Sequence, residues 1–381
     1  MMQVLHINSN YLTSKLHENL LDRLESKNIH NTVFMPIKEE TKGDFLYESK
    51  YEVYHPVAFK DIDKYIFTYK QRKIYQKLQQ TVDPKQYDII HAHTLFTDGN
   101  VAHRLNKEYG IPYIVAVRGF TDIDGFFNKR FNLRKRGRQI LKNALQIIFL
   151  SETNRQELVN DYINDEAFKE EILKKSLIIP NGIDAAYFEN KGEPKKIDRS
   201  KPIRFVQVGH VRERKNGLGS VQAVKAYREK AGREAELLFV GKIIEENYAR
   251  KINQFGKAFV SFQSPVEIKE LIQLFRENDI FIMPSFSETF GLVYPEAMSQ
   301  GLPVIYTKGQ GFDGQYKEGY IGYPVQATNI EEIVEKIEYI VENYEQLSKN
   351  AIQAIEKFNW DVLAQNYITI YSKIVKRNEE K

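Results

Sequence analysis

The stretch from Phe281 to Gly301 leaves the chain few choices of local structure. Asp279-Ile280-Phe281-Ile282-Met283 is a short apolar run closed by Pro284-Ser285, the pattern of a strand buried on both faces in a parallel sheet. Pro295 is tolerated only near the first turn of a helix, where its missing N–H has no partner to lose. The spacing therefore predicts a helix that begins near Gly291 and stops at Gly301. Strand, loop and helix in that order deliver Glu288 just outside a helix N-terminus.

Unpaired N–H groups and the positive end of the helix dipole make such a place an anion site, and Gly291 lets a phosphate approach the backbone. Two carboxylates, Glu288 and Glu296, then flank an expected phosphate. Carboxylate oxygens only accept hydrogen bonds, so beside an anion they suit a neutral, hydroxyl-rich partner. A nucleotide sugar has both parts. The plainer reading makes Glu296 a favourable first-turn charge and Glu288 a solvated loop residue.

A chain of 381 residues exceeds what one hydrophobic core usually serves, so two domains are expected. No cysteine is present, which excludes disulfides, thiolate catalysis and cysteine-based metal sites and agrees with a reducing compartment. A strand begins at once after Met1, without a signal peptide, and no apolar run approaches the ~20 residues that span a bilayer. A cytoplasmic protein is expected. The net charge of +4 is too small to argue for nucleic acid.

Along the first half, Val4-Leu5-His6-Ile7-Asn8 reads as a strand, and Leu16, Leu20, Leu21 and Leu24 keep helical spacing after it. Ser14 and Lys15 stand near the loop between them. The stretch from Phe45 to Gln80, rich in Tyr and Lys, is either an acceptor-recognition surface or a solvated helix with aromatic anchors. Tyr87 to His93 reads as a strand ending in His91 and His93, which face one way; with no third ligand in view the pair is not expected to bind a metal. Pro112 to Val117 is another strand, ending at Arg118-Gly119. Asp122-Ile123-Asp124 could chelate a hard cation but stands before a helix, where Asp is a favoured cap, and reads as structural. Residues 126–142 combine seven Lys and Arg with Phe126, Phe127 and Phe131 and no acid. Such a segment either docks on anionic lipid at the inner face of a membrane or forms a charged solvent face.

The segment 186–202 is nearly free of apolar residues in its later part and reads as a linker. Beyond it the strand–helix rhythm restarts at Ile203 to Gly209, followed by His210, Arg212, Arg214 and Lys215. A Gly at a strand end followed by cations is what a diphosphate leaving group needs, because its departure adds negative charge to the phosphate. Gly309 to Gly314 carries three glycines and reads as a flexible turn.

Pro-Ser…Glu-Thr-Phe-Gly-Leu…Pro-Glu-Ala-Met…Gly-Leu-Pro-Val-Ile, between Pro284 and Ile305, resembles the signature of the retaining glycosyltransferases of family 4. Ile-Pro-Asn-Gly-Ile-Asp at 179–184 is similar to that family's hinge region. The resemblance covers nearly the whole chain and extends to the branch that builds bacterial surface polysaccharides such as teichuronic acid. It implies the α/β GT-B fold, two Rossmann-like doubly wound domains facing across a cleft. Residues 1–185 would form the acceptor side, completed by a closing helix at about 358–381, and residues 203–357 the nucleotide-sugar side.

The implied reaction moves a sugar from a nucleotide diphosphate sugar, most simply a UDP-sugar, to a glycan, lipid-linked or small-molecule acceptor with retained configuration. No metal, other cofactor or nucleic acid takes part. By the same resemblance His93 belongs to the pocket around the transferred sugar, Glu288 holds donor-sugar hydroxyls and Glu296 the ribose. Lys215, with the backbone of Thr289, Phe290, Gly291, Leu292 and Val293, holds the diphosphate. Gly209 stands at the strand end, and His210 occupies the place of the family's Arg, so that either Arg212 or Arg214 reaches in or His210 itself serves as a weaker cation. Val266 lies in the base-binding loop, and Arg118, Ser14 and Lys15 are on the acceptor side. A nucleotide-sugar epimerase or hydrolase, a glycosidase using both Glu, and a noncatalytic glycan binder are the rival readings.

Overall fold

The computed structural model describes residues 1–41 and 45–379. Residues 42–44 and 380–381, the latter at the end of the anticipated closing helix, lie outside the described residues. The chain forms two compact units. Unit 1 takes Met1–Leu150, Asn154–Asn181 and the chain from Trp360; unit 2 takes Ser151–Thr153 and Gly182–Asn359.

Unit 1 is built on a parallel sheet of seven strands: β1 (Met2–Ile7), β2 (Ile29–Phe34), β3 (Glu52–Tyr54), β4 (Ile89–Ala92), β5 (Tyr113–Val117), β6 (Gln146–Phe149) and β7 (Ser176–Ile178). Their order is β3-β2-β1-β4-β5-β6-β7. Alternate residues of these strands serve two different cores, as the two-residue period of a strand demands. Leu5, Ile7, Ile90, Ala92, Val115 and Val117 pack on one face. Val4, Ile89, Ile114 and Ile148 pack on the other, against Trp360, Leu363, Tyr367, Ile370, Tyr371 and Ile374 of the helix Trp360–Glu379. The closing helix thus covers the second face of the unit 1 sheet, and each side chain it buries contributes about 1.5–3 kcal/mol relative to exposure.

Unit 2 repeats the plan with β8 (Ile203–Val208), β9 (Ala235–Val240), β10 (Val260–Gln263), β11 (Ile280–Ile282), β12 (Val304–Thr307) and β13 (Gly322–Val325), all parallel. Their order is β10-β9-β8-β11-β12-β13. In both units the first strand is flanked by the strands that follow it in opposite senses. That leaves a crevice at the carboxyl ends of β1 and β4, and of β8 and β11.

Three local expectations change. The segment 186–202 is held along unit 2 by its backbone: Gly192 N donates to Ser299 O at 2.8 Å and Lys195 N to Ser348 Oγ at 2.8 Å. Polar backbone groups anchor it where apolar side chains are missing. Asp122 caps no helix; it lies inside a π-helix, Gly119–Asn128, and accepts from the backbone N–H groups of Leu95, Phe96 and Arg118 at 3.0, 3.2 and 2.9 Å. In the basic segment Phe127 is buried and Phe126 packs against the same core, while Arg134, Arg136 and Arg138 turn to Phe127 O, Asn100 Oδ1 and Tyr162 O. Of its three phenylalanines Phe131 alone is exposed, at 76%. Among the described residues no helix is long and apolar enough to cross a membrane.

Candidate active site

In unit 2 the residues of interest gather where β8 and β11 end. Gly209, with φ +134°, leaves β8 in a conformation L side chains rarely adopt. The chain then turns through Glu213–Lys215 to Asn216. Asn216, itself left-handed at φ +50°, caps the helix Gly217–Ala231 and donates to Pro284 O at 2.9 Å and Ala327 O at 2.7 Å. Phe286 N donates to Arg214 O at 2.9 Å, and the Arg214 guanidinium donates to Ser287 O at 2.7 Å. These bonds fasten the loop after β8 to the loop after β11. Their consequence is that the Lys215 ammonium meets the Glu288 carboxylate, with only 14% and 10% of the two side chains exposed.

Glu288 is held from behind as well. Its N–H donates to Gln310 Oε1 at 2.8 Å, and its carbonyl accepts from Gly311 N at 3.2 Å. A Cβ on Gly311 would stand 1.8 Å from Thr289 O, so the glycines of 309–314 include one required by close approach to the Glu288 loop. The anticipated helix from Gly291 to Gly301 is shorter, Val293–Met298, because Gly291 and Gly301 take φ of +83° and +81° and cannot be helical. Phe290 is buried against Phe312 and Phe358, and pins the loop before that helix. Glu296 is half-buried and hydrogen-bonded by the Tyr187 hydroxyl. Burial pushes its carboxyl up to about 7, opposed by that bond. Val266 lies half-buried in the loop after β10, and His210 is exposed.

Unit 1 holds the histidines. His6 of β1 is the register partner of His91 of β4, and His93 follows two residues on, facing the same way. His6 Nδ1 is 3.1 Å from His93 Nε2, and His6 Nε2 is 3.0 Å from Asn31 Oδ1. His91 stacks on His93 with centroids 4.0 Å apart and meets the Tyr371 hydroxyl at 2.7 Å; His17 sets its ring edge-on to His93 at 4.5 Å. Burial takes His6 down to about 4 and holds His17, His91 and His93 well below the usual imidazole range, helped at the last three by the Arg118 cation. The third histidine missing from the sequence reading of a metal site is therefore present, since ring nitrogens of His6, His91 and His93 lie within 4.8 Å of one another. His6 has both nitrogens engaged, and Arg118 opposes a second cation.

Arg118 donates from Nε to His93 O at 2.9 Å and from its fork to Asn181 Oδ1 at 3.4 Å. Ser14 and Lys15 are exposed at the start of the helix Leu16–Glu25, where Ser14 Oγ accepts from Leu16 N at 3.2 Å. Ser9 and Thr94, whose hydroxyls donate to the buried Asp98, also line a cavity of about 430 Å³ with Phe45, Phe59 and Lys70. Burial raises Asp98 to about 7. Sequence reasoning did not single out Asp98, while Phe45, Phe59 and Lys70 belong to the stretch read as either an acceptor surface or a solvated helix.

Residues 189–358 match the family described as glycosyl transferases group 1, and residues 17–187 that described as glycosyltransferase family 4. Each half of the chain thus matches a glycosyltransferase family, and the chain belongs to the glycosyltransferases. This glycosyltransferase is 23% identical over 368 residues to an uncharacterized glycosyltransferase of Methanocaldococcus jannaschii, covering 94% of this chain and 93% of that one. Its fold is that of the sucrose-phosphate synthase of Thermosynechococcus elongatus, with a TM-score of 0.77 at 16% identity over 99% and 100% of the two chains. Anabaena HepE, crystallised with UDP-glucose, matches with a TM-score of 0.67 at 16% identity over 98% and 100%. The GT-B fold of two Rossmann-like α/β domains is thereby established.

The fold brings together the sequence-predicted residues Gly209, Arg214, Lys215 and Glu288 in unit 2, and His93 and Arg118 in unit 1. His6 escaped sequence reading because it sits singly in an apolar run, and Asn31 because it stands between the polar His30 and Thr32. The signal available was the pairing expected between the first strand and the strand of the two histidines.

Proposed function

We propose that this glycosyltransferase moves a sugar from a UDP-sugar to an acceptor hydroxyl with retained anomeric configuration and without a metal ion, in the assembly of a cell-surface polysaccharide or glycolipid. The observation that carries the reading is the Lys215–Glu288 pair, fixed at the carboxyl ends of β8 and β11. Lys215 is a cation without a solvent shell to lose, poised for a diphosphate. Glu288 and Glu296 are acceptors suited to the hydroxyls of a sugar and a ribose. A relative of the same fold crystallised with UDP-glucose supports the donor class.

In this reading the diphosphate displaces Glu288 as the partner of Lys215 and takes N–H groups from the Thr289 to Val293 loop. The charge that grows on the leaving phosphate is met by Lys215 and Arg214, and Glu288 turns to the sugar hydroxyls. Glu296 accepts from the ribose, Val266 lies against the base, and exposed His210 is free to approach the phosphates. His93 lies at the transferred sugar. The acceptor enters the cavity of unit 1 near Lys70 and Thr94, with Arg118 holding the backbone of His93; Ser14 and Lys15 line the approach. The enzyme works in the cytoplasm, and the exposed Phe131 with Lys129, Lys135 and Lys142 forms its contact with the inner membrane face.

The test supplies UDP-sugars in EDTA, with and without monosaccharides and their phosphates as acceptors. UDP release that requires an acceptor, with a product keeping the donor's anomeric configuration, is expected. Acceptor-independent release would identify a hydrolase, sugar interconversion an epimerase, and neither a noncatalytic glycan binder.

A further inference from the structure

The pattern of hydrogen bonds around His93 fixes where its proton lies. Asn31 Nδ2 points at two groups that accept, Ile29 O at 2.8 Å and Glu25 Oε2 at 3.2 Å. A carbonyl cannot donate, so the amide nitrogen must be the atom facing it and Oδ1 the atom facing His6. His6 Nε2, 3.0 Å from that oxygen, must therefore carry a hydrogen. The ring is buried and neutral, so Nδ1 is its bare nitrogen and can only accept. The atom 3.1 Å away is His93 Nε2, which must then be the donor. His93 Nδ1 is left with a lone pair, buried and, among the described residues, without a hydrogen-bond partner. The opposite assignment would set two lone pairs against each other at Asn31 Oδ1 and His6 Nε2.

We propose that Asn31 and His6 act as positioning residues which hold His93 as its Nε2–H tautomer, so that His93 Nδ1 presents an acceptor to a hydroxyl of the transferred sugar and rejects any group that itself only accepts. This rests on the reading of His93 given under Proposed function. The main chain completes the clamp, because His93 N donates to Ile7 O at 3.1 Å and His93 O accepts from Arg118. A buried acceptor left unpaired is costly, and a ligand hydroxyl that satisfies it is selected over an analogue lacking the hydrogen. The arrangement also disfavours a cation at the cluster, since the lone pair of His6 is already given to His93 and Arg118 stands beside it.

The experiment uses the full chain labelled with ¹⁵N-histidine, without ligand. A bare His93 Nδ1, a protonated His93 Nε2 and a scalar coupling from that nitrogen to His6 Nδ1 across the hydrogen bond are expected. Protonation of His93 at Nδ1, or Zn²⁺ titrating the cluster at equimolar concentration, would overturn the proposal. Kinetics form the second arm. In His6→Leu the coupling partner is gone, and kcat is expected to fall about 10- to 100-fold, the scale on which outer partners of a functional imidazole act. His6→Asn, whose Oδ1 can replace Nδ1 as acceptor, should recover most of that loss with His93 again protonated at Nε2. Equal losses in the two variants, both folded, would show a packing role and overturn the proposal. If the wild-type enzyme uses no nucleotide sugar while the spectrum shows the coupling, the functional reading fails and the tautomer assignment stands.

Discussion

Lys215→Met is expected to lower kcat by about 100- to 1000-fold, the loss seen when one preorganised group facing developing charge is removed. The side chain is nearly enclosed and its ammonium is committed to Glu288, so its charge acts through little intervening water. The variant also leaves Glu288 buried without its cation, which costs stability. Lys215→Met combined with Glu288→Gln removes that second burden, and the double variant should regain the wild-type melting temperature while staying at least as slow. Single-turnover kinetics with saturating donor would read the effect. A double variant as active as wild type would show the pair to be a structural bridge in unit 2.

The second large effect is on stability. Asp122→Ala removes the shared acceptor of three N–H groups, the buried ones of Leu95 and Phe96 and the part-buried one of Arg118. At about 1–3 kcal/mol for each group left unpaired, the loss is on the order of 3–9 kcal/mol. For a unit of this size the melting midpoint of unit 1 should drop by roughly 10 °C. Burial lifts the Asp122 carboxyl to about 6, with the three N–H bonds opposing. A raised carboxyl binds its proton in the folded state first, so wild-type stability relative to Asp122→Asn should increase as pH falls from about 6 towards 4. Thermal melts of the three proteins across that range check both the size and the sign.

Much of the architecture was legible because buried parallel strands have a simple signature. The runs at Val4, Ile89, Tyr113 and Ile280 are apolar on both faces, and each became a central strand. The Glu288 loop was legible for the same reason, since Pro284, Gly291 and Pro295 restrict the backbone. What stayed hidden depended on contacts between distant strands. His6 looks like a polar interruption in an apolar strand until β1 is laid beside β4 and the residue falls next to His91. Asp122 looked like a cap because composition cannot show three N–H groups arriving from Leu95, Phe96 and Arg118. The arginines of 134–138 read as a surface stripe, yet their partners are carbonyl and amide oxygens within unit 1. Local rules locate elements, and register decides which side chains meet.

The central claim is a metal-free nucleotide site in unit 2, and calorimetric titration in EDTA tests it most directly. Uridine, guanosine, adenosine and thymidine diphosphates would be titrated into wild type and Glu296→Ala. The account predicts that UDP alone binds well, and that the variant binds it about 10- to 100-fold more weakly, as expected for losing one or two charge-assisted hydrogen bonds. Glu296 accepts best as the anion and its carboxyl lies near 7, so wild-type affinity should weaken as pH falls below about 7 and the variant should lose that dependence. No binding of any diphosphate, or equal binding by wild type and Glu296→Ala, would contradict the account.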